Sequence, residues 1–406
     1  MNTLRITNAR ILTMEAPWPL GRIIPSGEVV IEGGIIRRIS ESPPQRANQA
    51  ENIPTLDARG RVLMPAFIDA HTHALWAGDR LDEWDMKRRG VSYLEILHAG
   101  GGIMSTVRAV RAASDHDLAA NLRHRLHSML AEGTTTIEVK SGYGLSTLHE
   151  LRMLRAIRDA STDFPGTLVP TALIAHAIDP DVPAERFIRT TIEETLPAVH
   201  DEFPGITIDA YCEQGAWPLE ACIRLFERAR SLGHPFRVHT DQFNSMGMTE
   251  WAMSHGALSL DHLEASSAET LRAIASTSSY AVLLPCTGFN TDGRYVNART
   301  IIDAAGAERL VIATNLNPGS APCASMPMAI ALAVRMNHLT PQEAIAACTR
   351  NPAALLGLHD RGVIATGKRA DLVLLRNTDE RLLAYEFGGN PVDLTIVNGF
   401  PHESRP

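Results

Sequence analysis

In a chain of 406 residues, a few short stretches concentrate the side chains that can hold a metal or move a proton. Asp69-Ala70-His71-Thr72-His73 closes an apolar run that opens at Met64-Pro65. Residues two apart on a strand point to the same side, so His71 and His73 can converge on one ion. Neutral imidazole is a favoured ligand for zinc and iron. Two further histidines stand in Arg237-Val238-His239-Thr240-Asp241-Gln242 and in Asp261-His262-Leu263-Glu264. With His239 as third ligand, coordination positions stay open for water, as a catalytic ion requires. His262 then serves as a proton handler or as a donor to the substrate oxygen. An isolated His-x-His pair says little. Four histidines, each at the end of an apolar, strand-like run, point to a metal-dependent hydrolase using a divalent ion: zinc, with iron or manganese as alternatives.

Such a site needs a scaffold that sets several strand ends side by side. Eight apolar runs qualify as parallel strands: Ala66–His71, Thr134–Val139, Leu168–Ala175, Ile206–Tyr211, Phe236–His239, Ala257–Asp261, Tyr280–Leu284 and Leu310–Ala313. Helix-compatible segments separate most of them, Asp115–Ala131 and Leu148–Ala160 being the clearest. Eight βα units close a (β/α)₈ TIM barrel, an α/β fold whose site lies at the C-terminal ends of its strands. The flanks read differently. Leu4–Leu12 and Glu28–Ile36 are rich in β-branched residues, with a tight turn at Gly33-Gly34, and the pattern returns in Ala370–Leu375 and Leu394–Val397. The expected organisation is a small β-sandwich domain from residues 1–64 and 365–406 around a catalytic barrel of residues 65–364. Ser42–Glu51, polar and proline-rich, is expected to be an exposed loop.

Composition removes other classes. The chain is 45% hydrophobic and 21% charged with a net charge of −8, so no global field favours nucleic acid or an anionic membrane. Lys87-Arg88-Arg89 reads as a solvated helix face. No apolar run reaches the roughly 18 residues that span a bilayer, and MNTLRITNAR lacks a signal-peptide pattern, so a cytoplasmic protein is expected. The five cysteines, Cys212, Cys222, Cys286, Cys323 and Cys348, form no CxxC pair and are expected to be reduced thiols.

The stretches MPAFIDAHTH, GVSYLEI, GGGIMSTV, GTTTIEVKSGYGL, IAHAI, DHLE and LNPGSAP together resemble the imidazolonepropionases, histidine-degrading members of the amidohydrolase superfamily. The resemblance runs from about Met64 to Val373, and KSGYGL and NPGS discriminate far better than His-x-His. It implies a small-molecule substrate bearing a carboxylate, and leaves a homodimer open. It makes His71, His73 and His239 metal ligands and Arg80, Tyr143, His176 and Gln242 substrate contacts, with Tyr93 nearby. The NPGS loop adds Asn317, Gly319 and Ser320. The residue chemistry agrees: Arg80 can hold a propionate by a two-pronged pairing, and Gln242 offers ring nitrogens a donor and an acceptor. A glycine-flanked loop presents backbone N–H groups to an anion. Two-metal members commonly carry a carboxylated lysine at the fourth strand end. Tyr211-Cys212-Glu213-Gln214 has none, which favours one metal, with Glu213 structural.

The chain departs from the family pattern at Asn315, where an aspartate is usual. Asparagine can offer its carbonyl oxygen to an ion, so Asn315 stays among the candidate ligands, but it has no basic site near neutral pH. His262 or Asp241 is then expected to take the proton. Two enzymatic readings follow: ring opening of an imidazolone propionate, or loss of sulfur from a sibling thioxo ring, since hydrosulfide leaves as an anion without prior protonation. A third reading, from another class, is a catalytically inactive homologue that only binds a ligand.

Overall fold

The computed structural model describes residues 3–17, 19–41, 53–91, 95 and 101–403. The expected loop at Ser42–Glu51 and the side chain of Tyr93 lie outside them. Strand β1 (Thr3–Leu12) pairs antiparallel with β2 (Ile23–Glu32), and β2 with β3 (Ile35–Ser40). The β2–β3 turn falls on Gly33-Gly34, both at positive φ, and a side chain at Gly34 would meet the Oδ1 of Asn398 at 2.2 Å. Strands β4 (Thr55–Asp57) and β5 (Val62–Pro65) run parallel to β1.

One residue later the chain enters a second sheet. Strands β6 (Phe67–Asp69), β7 (Thr134–Lys140), β8 (Thr167–Ala175), β9 (Thr207–Cys212), β10 (Val238–Thr240), β11 (Ser259–His262), β12 (Tyr280–Leu283) and β13 (Leu310–Ile312) pair in sequence order, all parallel. This is the expected TIM-type barrel, with each of the eight strands within about two residues of its expected bounds. The helix Asp115–Ala131 forms because Ser114 caps it, accepting from the Asp117 amide, and because Leu118, Leu122, Leu126 and Met129 make one buried stripe. The helix Thr147–Ser161 is capped by Ser146 in the same way.

The chain returns to the first sheet through β14 (Leu372–Leu375), β15 (Val392–Val397) and β16 (Phe400–Glu403). The strands expected as a β-sandwich hydrogen-bond into one continuous sheet, ordered β16-β15-β14-β5-β1-β2-β3 with β4 beside β1. Its two faces serve two cores. Leu372 and Leu374 join Leu63, Ile6 and Ile396 on one side, while Val373 and Leu375 join Val62 and Met64 in the barrel's core. Burial on both faces explains why these strands read as unbroken apolar runs. No helix among the described residues is long and apolar enough to cross a membrane.

Four non-glycine residues with positive φ gather just past the barrel strands: Asp241, His262, Leu263 and Asn315, at 52°, 88°, 73° and 56°. Such conformations cost free energy and persist only where surroundings enforce them. They mark the strand ends at which the histidines stand.

Candidate metal centre and substrate cavity

β6 delivers His71 and His73, β10 delivers His239, and β11 ends on His262; all four are buried. His71 Nδ1 lies 2.5 Å from Oδ2 of Asp261, and His239 Nδ1 lies 3.1 Å from Oδ1 of Asp209. A carboxylate can only accept, so each Nδ1 carries the proton and each Nε2 presents a lone pair. His71 Nε2 and His73 Nδ1 are buried without a partner, and His239 Nε2 sits 3.2 Å from His73 Nε2. Burial, with neighbouring cations and imidazoles, holds His71 and His73 well below the usual imidazole range; burial lowers His239 as well. Neutral imidazoles with converging, unsatisfied lone pairs are the form and placement that a metal ion needs. Among the described residues, His71, His239 and His262 have ligating atoms that all lie within 4.8 Å of one another. His262, expected as a proton handler or a donor to the substrate oxygen, therefore stands as close to a common point as a ligand does, and His73 adjoins His239.

Beneath the histidines lies a charge network that the motifs did not disclose. Lys140 donates to Glu138 at 2.8 Å and to Asp209 at 2.9 Å, and Arg237 pairs with Asp261. All five side chains are buried. Lys140 is thus taken up by these two carboxylates, in keeping with one metal. Three carboxylates face two cations, which leaves one negative charge to complement a cation above.

A cavity of about 510 Å³ opens over the histidines, a size suited to a small ligand. Its lining includes His73, His239, His262 and Asn315 at the strand ends, Tyr143, His176, Tyr211 and Gln242 along the wall, and Arg80, Glu83, Lys87 and Arg88 from the segment after β6. Gln242 Oε1 accepts from the Tyr211 hydroxyl at 2.8 Å, so its NH₂ is what it offers a ligand. Tyr211, not singled out in the sequence, thereby orients Gln242. His176 donates Nδ1–H to the Gly142 carbonyl at 3.0 Å and stacks on His73 at a centroid distance of 4.9 Å. Burial and the nearby His239 push its imidazole down to about 3, so it is a neutral acceptor at Nε2. Burial raises the Tyr143 phenol, keeping it a protonated donor.

Arg80 reaches the cavity, but two of its nitrogens already fork onto Glu83, Nε–Oε2 at 2.6 Å and Nη2–Oε1 at 2.7 Å. Burial alone would raise the Glu83 carboxyl; hydrogen bonds from Arg80 and Lys87 outweigh it and bring it down to about 2. The outer Nη1 edge remains for a ligand carboxylate, and it passes close to Gly319, where a Cβ would stand 2.9 Å from Nη1. Lys87 and Arg88, expected on a solvated face, also line the cavity. Both stand in the last turn of the helix Leu81–Arg88. This end therefore gathers three cations against one carboxylate.

Two further expectations need correction. Asn317 folds the NPGS loop inward: its Oδ1 accepts from the amides of Gly319 at 2.8 Å and Ser320 at 2.7 Å. Those N–H groups are consumed by the loop itself and do not face an anion. Ser320 Oγ in turn accepts from Asn317 Nδ2 at 2.9 Å, which still leaves its own proton for a ligand. Asp241 is not part of the cavity lining: Ser266 and Ser245 donate to its Oδ2 at 2.7 and 3.3 Å, away from the histidines. Glu213 is structural as expected, bound to Asn244 Nδ2 at 2.7 Å and to the amides of Phe243 and Asn244. Asn315 lies at the floor of the cavity beside His71, whose carbonyl accepts its N–H at 3.1 Å.

A parallel barrel with a buried histidine cluster at its strand ends, joined to a sheet made from both chain ends, defines a hydrolase-type scaffold built for metal chemistry. The sequence model of the amidohydrolase family matches residues 62–400, and the chain belongs to that family. Among curated relatives, imidazolonepropionase of Herpetosiphon aurantiacus is 42% identical over 91% of this chain and 88% of its own length. Imidazolonepropionase of Deinococcus radiodurans is 42% identical over 93% of this chain and 92% of its own. Of solved structures, the 5-methylcytosine deaminase of Klebsiella pneumoniae liganded with 5-fluorocytosine superposes with a TM-score of 0.74 at 18% identity, over 99% of this chain and 98% of that one. A variant atrazine chlorohydrolase of Arthrobacter aurescens complexed with zinc and atraton gives 0.71 at 18% identity, over 99% and 96%. At that identity the two structures bear on fold alone.

Proposed function

We propose that the protein hydrolyses a five-membered imidazolone-type ring carrying a propionate, opening 4-imidazolone-5-propanoate to N-formimino-glutamate as in histidine degradation. One observation carries this reading: a single cavity joins a cluster of unsatisfied neutral imidazoles to a cationic end made by Arg80, Lys87 and Arg88. A ring can lie over the former while its carboxylate meets the latter. The names of the relatives agree. In this reading His71, His73 and His239 hold one divalent ion, zinc, which when bound polarises a carbonyl and makes water nucleophilic near neutral pH. Arg80 pairs with the propionate, and Gln242, Tyr143 and His176 fix the ring through N–H and O–H bonds. Water adds to the ring carbonyl, the carbon–nitrogen bond breaks and the nitrogen takes a proton. His262 handles that proton, backed by Glu264, whose Oε2 lies 3.3 Å from His262 Nδ1.

A second reading is favoured by one further observation. Among the described residues, the carboxylates lining the cavity are Glu83 and Asp292, engaged by Arg80 and Arg294, and neither stands with the histidines. A site without a carboxylate base beside its metal suits loss of hydrosulfide from the thioxo ring of 3-(5-oxo-2-thioxoimidazolidin-4-yl)propionate. There water adds at the C=S carbon and sulfur departs as an anion. Zinc-loaded protein incubated separately with the two propionates tests both, by loss of ring absorbance and by sulfide release. Ring opening of the oxygen compound is expected; sulfide release alone establishes the second reading, and turnover of neither overturns both and leaves a binding protein. Asn315→Asp adds a check: restoring a base should raise ring opening by about 10²–10⁴-fold.

A further inference from the structure

Asn315 is held from several directions. Its N–H donates to the carbonyl of His71 at 3.1 Å, its own carbonyl accepts from Asn317 Nδ2 at 2.7 Å, and its φ is +56°. With the backbone fixed so, one freedom matters. Rotation of the terminal amide exchanges Oδ1 and Nδ2 with almost no change of shape, and only hydrogen bonding tells the two apart. That bond is made by Thr287, whose Oγ1 accepts from Asn315 Nδ2 at 2.8 Å. Thr287 is buried in the helix Pro285–Asn290 after β12, and its amide is tied to the Leu284 carbonyl at 3.0 Å. Asn315 Oδ1 is left buried and unpaired, like His71 Nε2 and His73 Nδ1.

We infer that Thr287 is a positioning residue that locks the Asn315 amide with its carbonyl oxygen toward the metal site, making Asn315 a neutral oxygen ligand. The opposite flip would turn an NH₂ group, already partly positive, toward the cation. In the arrangement present, the Thr287 hydroxyl oxygen takes the Nδ2 donor, and Oδ1 is the atom left to face the ion. Thr287 and Asn315 therefore act as a pair across two strand-end segments 28 residues apart. The choice of face exists only for an amide: a carboxylate presents an oxygen to the ion whichever way it turns, and alanine presents none.

That asymmetry supplies the test. Zinc affinity of the full-length protein is measured by chelator competition for Thr287→Val and Thr287→Ser, each with residue 315 as asparagine, as Asn315→Asp and as Asn315→Ala. Melting of the metal-free forms reports folding. Loss of a group that orients a metal ligand typically weakens binding by about 10–100-fold. Thr287→Val should do so with asparagine present, whereas Thr287→Ser, which keeps the hydroxyl, should stay within about threefold. In the Asn315→Asp and Asn315→Ala backgrounds Thr287→Val should change affinity less than about threefold. Equal losses in all three backgrounds would show that Thr287 acts on the fold, and no loss in any would show that Asn315 does not ligate; either overturns the inference. Wild-type protein that fails to bind zinc overturns it as well.

Discussion

Replacing Arg80 by alanine tests whether the cationic end of the cavity reads a carboxylate. The Arg80 side chain is only 12% exposed, so a pairing made there is largely sheltered from solvent. Truncating one partner of a desolvated, hydrogen-bonded charge pair costs about 2–5 kcal/mol. Lys87 and Arg88 line the same end and survive the change, which argues for the lower part of that range. At about 1.4 kcal/mol per tenfold, kcat/KM for the propionate should fall roughly 30- to 300-fold. The fold should tolerate the loss, because Glu83 keeps the Lys87 ammonium at 2.7 Å and the Gly102 amide at 2.9 Å. Steady-state kinetics on the propionate and on an analogue with a methyl ester in its place separate recognition from structure. The ester should lose less than about threefold on the same substitution, since it has no charge to forfeit. Equal losses for acid and ester would refute the reasoning and make Arg80 a structural partner of Glu83.

Four other outcomes follow from the same geometry. Gly319→Ala should raise KM for the acid with little change in melting temperature, because the new Cβ would press on Arg80 Nη1 at 2.9 Å; an unchanged KM would mean that the arginine swings clear. Asp261→Asn, which withdraws the charge shared by His71 and Arg237, should weaken zinc binding by about 10–100-fold in chelator competition. Glu83 is depressed to about 2 from an unfolded value of 4.5, so it adds stability above pH 4.5 that is lost as pH falls toward 2. Denaturant unfolding of Glu83→Gln should accordingly show a flatter acid limb across that window. Truncation after Ile364 removes β14, β15 and β16 and uncovers apolar residues of both cores, so the product should be insoluble; a soluble, active fragment would show that the terminal sheet is dispensable.

The barrel was legible because its strands are apolar, regularly spaced and separated by amphipathic segments, so each of the eight could be bounded from periodicity alone. His71, His73, His239 and His262 were legible for a local reason: each closes one of those runs. What resisted reading depends on pairings between distant segments. His71 finds Asp261 across 190 residues, and His239 finds Asp209 across 30. One signal was available: Glu138 and Lys140 alternate on one face of β7, an arrangement that a buried strand tolerates only if both charges are paired. The NPGS loop misled for another reason. Its glycine permits exposed amides, but the asparagine two residues earlier is an Asx-turn former that consumes them. Lys87 and Arg88 are solvent-exposed as expected, but a basic run on a short helix does not disclose that the face also borders a cavity.

The charge of the metal's surroundings is what the substitution at Asn315 changes most. Three neutral imidazoles and an amide contribute no charge to an ion held among them. The network below carries one excess negative charge and meets the imidazoles at two points, Asp209 on His239 and Asp261 on His71. A divalent ion so held keeps most of its charge for what enters the cavity. Two unit charges about 4 Å apart interact by roughly 4 kcal/mol at an effective dielectric of 20. A carboxylate at position 315 would cancel much of that attraction for an anion forming on the substrate side, while offering a base in exchange. The amide makes the opposite trade: it gives up proton transfer at the metal and retains electrophilic pull. Proton movement is then left to His262 and Glu264, which approach from the neighbouring strand end. If Asn315 and the three histidines hold the ion as proposed, the site would favour bonds whose leaving atom bears negative charge well, and ring-nitrogen departure would rest on His262.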